Sequence, residues 1–317
     1  MKKSTISAAI AFTLLLSVPA AILQPVGTVV AADASGTTAS ISDIVKNQLS
    51  NGGWRKDYKQ TSGEWAKATI DNKATYTEIR RLAAEFKKTN NKTYSNAAIK
   101  GINFLLNMQY SNGGWPQVYQ GSGYHAHITY NDNAMINVMI LLDDVGNRKG
   151  DFSFVDSNLA NRSKQAVNKG VDCILKTQIV SKGVLTAWGQ QHNASNLAPA
   201  SARAYEVPSI TASESVNIVK FLKTRPANSK ITASIKAAEN WFKSVQITGI
   251  RVEKKNGDVV VISDPSNKTP IWARFYEINT HRPIFVGRDG VVKFRLSDIE
   301  KERRTGYAWY GNWPSKL

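Results

Sequence analysis

The sequence predicts a mainly α protein of about three helical hairpin repeats, with a short β-hairpin and an irregular C-terminal segment. Three observations predict it. The string SNGGW occurs twice, at Ser50–Trp54 and Ser111–Trp115. Each copy is followed, 17 residues after its tryptophan, by an Asp-Asn pair: Asp71-Asn72 and Asp132-Asn133. The segment GINFLLNMQ (Gly101–Gln109) reappears as GVDCILKTQ (Gly170–Gln178), with weaker copies in AENWFKSVQ (Ala238–Gln246) and ISDIVKNQ (Ile41–Gln48).

Each of these segments is helical in pattern. Val167, Val171, Ile174 and Gln178 step by four, three and four, which lines one helix face. Each ends in glutamine and runs into a loop with a tryptophan: Trp54, Trp115, Trp188 and Trp272. A second helix is expected after the first three loops, from Asp71, Asp132 and Thr211. Asp and Asn suit first turns and caps, so the Asp-Asn pairs are expected to open their helices. The third copy has Ser213-Glu214-Ser215 in that neighbourhood. Helix, Trp loop, helix is thus a unit that recurs every 60 to 80 residues, and such units stack to bury a shared core. Three hairpins can close into an α/α toroid or stay open as a short solenoid. Closure would set every Trp loop and both Asp-Asn pairs on one rim.

Later segments break the pattern. RVEKKNGDVVVI (Arg251–Ile262) has Asn256-Gly257 between alternating runs, the signal of a type I′ β-hairpin. From Trp272 onward, aromatics and arginines are dense and long helical periodicity is absent, so the tail is expected to wrap across the helical body.

Lys2 and Lys3 precede an apolar run over Ile6–Leu23, and Val30-Ala31-Ala32 offers a cleavage site. Residues 1–32 therefore read as a secretion signal and 33–317 as a single domain. No later stretch is long and apolar enough to span a bilayer, so no stable membrane association is expected. The single cysteine, Cys173, excludes an intrachain disulfide and reads as a core residue on a helix face. Formal charge is +17, or +15 without Lys2 and Lys3. That excess favours a polyanionic partner, whether acidic polysaccharide, cell wall or nucleic acid, with solubility alone as the bland alternative.

Asp71, Asn72, Asp132 and Asn133 are hard oxygen donors of the kind Ca²⁺ takes. Plain helix capping is the alternative, but a cap does not need one dipeptide at one offset from a Trp loop. His125 and His127, two apart, are a weak zinc signal without cysteine or HExxH, and no GxSxG or P-loop is present. Arg203 and Arg274 each follow an alanine and precede an aromatic and a glutamate, and Arg288 sits in a tight Gly287–Gly290 turn. Guanidinium forks bind carboxylates bidentately, and salt bridges are the structural alternative for all three. The Trp loops could stack sugars, but recurrence at one place in every repeat favours packing onto helix ends.

The strings TIDNKATYTEIRRLA, NGGWPQVY, ITYNDNAMINV, WGQQH, ARAYEVPS, ESVNIVKFL, WARFYEI, RPIFVGRDGV and ERRTGYAWYG together resemble the polysaccharide lyase family 10 pectate lyases, in the right order and over about Asn51 to Gly311. The resemblance implies a secreted, Ca²⁺-dependent enzyme on a three-hairpin α/α toroid, cleaving polygalacturonate by β-elimination. It places the calcium motif on Asp71, Asn72 and Asp132, the catalytic arginine on Arg288, and substrate-carboxylate arginines on Arg203 and Arg274. Asn193, after Gln191-His192, departs from the aspartate associated with that place.

Two other functions compete on residues alone. A non-catalytic binder of acidic glycans would use the same basic rim. A toroid glycoside hydrolase would need two carboxylates as acid and base, and Asp71 and Asp132, each joined to Asn in a duplicated motif, fit metal better. A nuclease has the charge but no two-metal or zinc motif, so no nucleic-acid partner is expected. The expected partner is polygalacturonate, and the expected state a monomer.

Overall fold

The structure is a computed structural model that describes residues 33–317. The secretion signal expected over 1–32 lies outside the described residues. Among those described, no helix is long and apolar enough to cross a membrane.

The repeats fold into hairpins. Two short helices, α1 (Ser35–Thr38) and α2 (Ile41–Lys46), come first. Three antiparallel pairs follow: α3 (Tyr76–Thr89) with α4 (Lys92–Met108), α5 (Ala134–Gly146) with α6 (Ser157–Thr177), and α7 (Ala212–Lys223) with α8 (Ser229–Ser244). Helices α3, α5 and α7 pack in sequence as one layer, and α4, α6 and α8 as a second. The second layer is conventionally capped: Asn91, Asp156 and Asn228 each accept a first-turn amide. The first layer has no side-chain caps at its N-termini, and those ends carry the loops that build the site.

The recurring tryptophans and glutamines explain why the units stack. Trp54, Trp115 and Trp188 are fully buried. Their indole N–H groups donate to Ile44, Leu105 and Ile174 carbonyls, and Trp272 does the same to Phe242, all at 2.7–2.8 Å. Each tryptophan thus satisfies a carbonyl near the C-terminal end of the preceding helix, where intrahelical partners run out. Each glutamine joins its unit to the next: Gln48 donates to Ala97, Gln109 to Ala166 and Gln178 to Ser234, all at 2.9 Å. Glycine opens the space. A Cβ at Gly113, where φ is +93°, would sit 2.0 Å from the Lys169 carbonyl oxygen. The Trp loops are packing devices, and Cys173 is a fully buried core thiol whose pKa burial pushes up to about 12.

The α/α toroid with an irregular tail is corrected. Among the described residues, short strands form several small β-sheets beside the helices, and no toroid is shown. After α8 the chain alternates β-branched and aromatic residues between turns, a composition suited to strands. Pro283–Val286 pairs with Val292–Lys293 on one side and Phe275–Tyr276 on the other, and Phe275–Tyr276 pairs with Ile210–Thr211 beside α7. Trp272–Ala273 pairs with Tyr310–Gly311, and the final turn Trp313–Lys316 packs on α7. The hairpin is as expected: Ile250–Lys255 pairs with Asp258–Ser263, and Asn256 and Gly257 both have positive φ.

Candidate active site

The Asp-Asn pairs stand at the entries to their helices, with Asn133 at the N-cap position of α5, but neither makes a side-chain cap bond. Each lies in a 3-10 turn ahead of its helix, Asp71–Lys73 before α3 and Asn131–Asn133 before α5. The two copies bend differently. In the first, Asn72, Lys73 and Thr75 have positive φ, and in the second Asp132 and Asn133 do. Asn and Asp tolerate this left-handed region better than most residues, so backbone shape as well as side-chain chemistry selects the dipeptide. Strained, left-handed turns of this kind are costly and persist where the surroundings hold them.

Both turns face one cavity of about 410 Å³. Asp71 is buried; its Oδ2 accepts from Lys56 Nζ at 2.9 Å and its Oδ1 from Gln117 Nε2 at 3.0 Å. Asp132 has only Asn131 Nδ2 at 3.3 Å. Desolvation raises the Asp132 pKa to about 6, with Glu214 and Asp71 raising it further and Arg274 opposing them. Asn72 also lines the cavity. Two carboxylates and an amide thus converge, one carboxylate short of positive charge. This donor set fits a hard cation of Ca²⁺ type with the remaining oxygens from water or substrate. Among the described residues no group of three or more His, Cys, Asp or Glu side chains is placed to hold a metal.

Arg203 and Arg274 line the same cavity. Arg203 makes a two-point ion pair with Glu206, Nε at 2.8 Å and Nη2 at 2.6 Å. Burial works against its charge, and the Glu206 pair more than offsets this and holds its pKa above the usual value. Arg274 is half-buried and pairs with buried Glu214; desolvation opposes its charge, Glu214 restores it, and among the described residues its Nε has no partner. Its guanidinium lies 4.7 Å from the Tyr307 ring centroid.

Arg288 is placed elsewhere. Its side chain is 63 % exposed and bound to Glu302 through Nε and Nη2, both at 2.9 Å. It is not among the residues that line the cavity, but its guanidinium lies 6.0 Å from the centroid of the Tyr205 ring and shares Glu302 with Arg303, and Tyr205 and Arg303 both line it.

Sequence reasoning missed Lys56, Trp65, Gln117, Tyr124, Glu206, Arg303 and Tyr307, which also line the cavity. Lys56 lies two residues after an SNGGW copy and Gln117 two after the other, so the repeats pointed to both. Trp65 and Tyr124 flank His125 edge-on, with centroids at 4.8 and 4.0 Å. Trp65 belongs to no repeated string, and only folding brings it to the cavity.

The chain matches the pectic acid lyase family over residues 42–317. The chain belongs to the pectic acid lyase family. Two solved structures of a family 10 polysaccharide lyase from Cellvibrio cellulosa are similar to this lyase, each with 38 % identity and a TM-score of 0.80, over 88 % of this chain and 90 % of theirs. One of the two is a substituted form in complex with trigalacturonic acid. A comparison with curated proteins found no match. This lyase is therefore a polysaccharide lyase of the family 10 type, and the convergent carboxylates and arginines are its candidate active site.

Proposed function

We propose that this pectate lyase is calcium-dependent, cleaves polygalacturonate by β-elimination, and works outside the cell as a single-domain monomer. The convergence of Asp71, Asn72 and Asp132 with Arg203 and Arg274 on one cavity carries the reading. Breaking the C4–O4 bond of a galacturonate requires loss of the C5 proton, on a carbon next to a carboxylate whose charge opposes a second one. Held by Asp71, Asn72 and Asp132, Ca²⁺ would neutralise that carboxylate as a Lewis acid. Arg203 and Arg274 would orient uronate carboxylates and stabilise charge developing on them. The C5 proton goes to a guanidine nitrogen, the C5–H electrons form the C4–C5 double bond, the C4–O4 bond breaks with its electrons leaving on O4, and O4 takes a proton from water.

The acceptor is an arginine that must be neutral, and a guanidinium gives up its proton only above about pH 12 in water. The resemblance points to Arg288. The geometry favours Arg203 as a second reading, because it lines the cavity while Arg288 is tied to Glu302 outside it. For Arg203 to act, its pair with Glu206, which holds its pKa above the usual value, must loosen. Alkaline conditions favour either.

The test is ultraviolet absorbance of the unsaturated product on polygalacturonate, with and without chelator. Chelation that abolishes the signal, and calcium that restores it, are expected. Cleavage that persists under chelator, or that yields only saturated reducing ends, sinks the reading.

A further inference from the structure

The repeats lean on one another in sequence, and among the described residues no full helical hairpin precedes the first one. The Asp71 turn is braced by the second repeat: Ile70 N–H donates to the Gln117 carbonyl at 3.1 Å. The Asn131–Asn133 turn is braced by the third, through Tyr130 N–H to the Gln190 carbonyl at 2.9 Å. On its other side the second turn packs against the first. What packs on the open side of the first turn is the segment 33–38, upstream of the residues that match the family.

The contacts of this segment are specific. Ala34 N–H donates to the Asn72 carbonyl at 3.1 Å and Ser35 N–H to the Lys56 carbonyl at 2.8 Å. Asp33 pairs with Lys73. Ser35 Oγ accepts from Tyr58 N–H at 3.0 Å, and the Gly36 carbonyl accepts from Arg81 of α3. Gly36 lies so close to α3 that a Cβ there would fall 2.0 Å from Glu78 Oε1. The segment thus grips both flanks of Asp71, at Asn72-Lys73 and at Lys56, where three non-glycine residues in four hold positive φ.

We infer that residues 33–38 are a capping strap that holds the Asp71–Lys73 turn in its left-handed conformation and so sets the affinity of the site for its cation. A repeat stack needs its end repeat closed, and a strained turn needs its surroundings to over-determine it. Here one segment does both. The cation half of the inference rests on the calcium reading above, and the positioning half does not.

Two full-chain variants test it. Ala34 already has φ −61°, the value proline imposes, so Ala34→Pro removes the N–H to Asn72 and keeps that φ. Lys73→Met removes the pair with Asp33 at an exposed position and covers the case in which the proline variant does not fold. Amide exchange at Ala74 and Tyr76 reports the first turn, and Asn133 reports the second as an internal reference. Terbium(III) luminescence reports cation affinity. Exchange at Ala74 and Tyr76 about fivefold faster, with about fivefold weaker terbium binding and Asn133 unchanged, is expected for the loss of one net hydrogen bond. Unchanged exchange at Ala74 and Tyr76 in both variants, or equal acceleration at Asn133, overturns the strap. Faster exchange with unaltered terbium affinity overturns its role in the site. Wild-type protein that binds no terbium counts against the calcium reading, and the exchange data still decide the strap.

Discussion

Lys56 and Asp71 form an ion pair inside the cavity, Nζ to Oδ2 at 2.9 Å, whereas Asp132 is in no ion pair among the described residues. The repeated acids therefore differ electrostatically: one is in an ion pair, and the other feels its positive neighbours Arg274 and Arg203 only without a direct pair. Lys56 also lies over the Trp65 ring at 3.9 Å, which fixes its ammonium at the cavity wall. Replacing it by methionine leaves Asp71 with Gln117 alone. We expect Lys56→Met to bind calcium about tenfold more tightly without substrate, the order of one screened unit charge nearby. Calorimetric titration measures this, and an unchanged or weaker affinity would mean that the lysine does not compete for Asp71.

Asp132 sets a pH dependence whose sign can be worked out. Its folded-state pKa is raised to about 6 by desolvation, above the ordinary aspartate value. Protonated Asp132 therefore favours the fold, and that stability is lost as pH rises through about 6. Cation binding needs the ionised form, so turnover should rise over the same range. Asp132→Asn should then gain roughly 1–3 kcal/mol of stability above that range while losing at least about 100-fold in turnover. Thermal unfolding at acid and neutral pH checks the first half and initial rates the second; destabilisation at neutral pH would show that ionised Asp132 is not a burden on the fold.

Arg203 and Arg288 separate by position. Arg203→Lys keeps a positive charge but loses the fork that grips Glu206. We expect it to lower kcat by about 100-fold or more, the usual scale for general-base loss. Arg288→Ala should leave most turnover if the guanidinium stays with Glu302, and should abolish it if Arg288 swings inward as the base. Steady-state rates of the two variants under calcium saturation decide between the arginines.

The tryptophans divide into two classes that mutation should separate. Trp115→Ala deletes a fully buried ring and its bond to Leu105, and should cost about 3–5 kcal/mol of stability. Trp65 lines the cavity and is half-buried. Trp65→Ala should leave unfolding within about 1 kcal/mol of wild type and raise KM for polygalacturonate. Denaturant titration and KM together test this, and a destabilised Trp65 variant with unaltered KM would make that ring a packing element as well.

The sequence by itself determined the repeats: the helix–Trp loop–helix unit, the glutamine at each helix end, the Asn256-Gly257 hairpin and the duplicated Asp-Asn pairs. These were legible because each depends on local spacing, and a residue that must fill the same place in every unit recurs at the same offset. Family membership was legible for the same reason, through many short strings in order. Only the tertiary structure decided that the tail pairs as strands, because Phe275–Tyr276 and Pro283–Val286 gain their hydrogen bonds from each other and from Ile210–Thr211, far away in sequence. It also decided that Lys56, Trp65 and Arg303 share a cavity with Asp132 while Arg288 lies outside it. Charge, burial and left-handed turns depend on what comes close in space, and spacing along the chain carries no record of that.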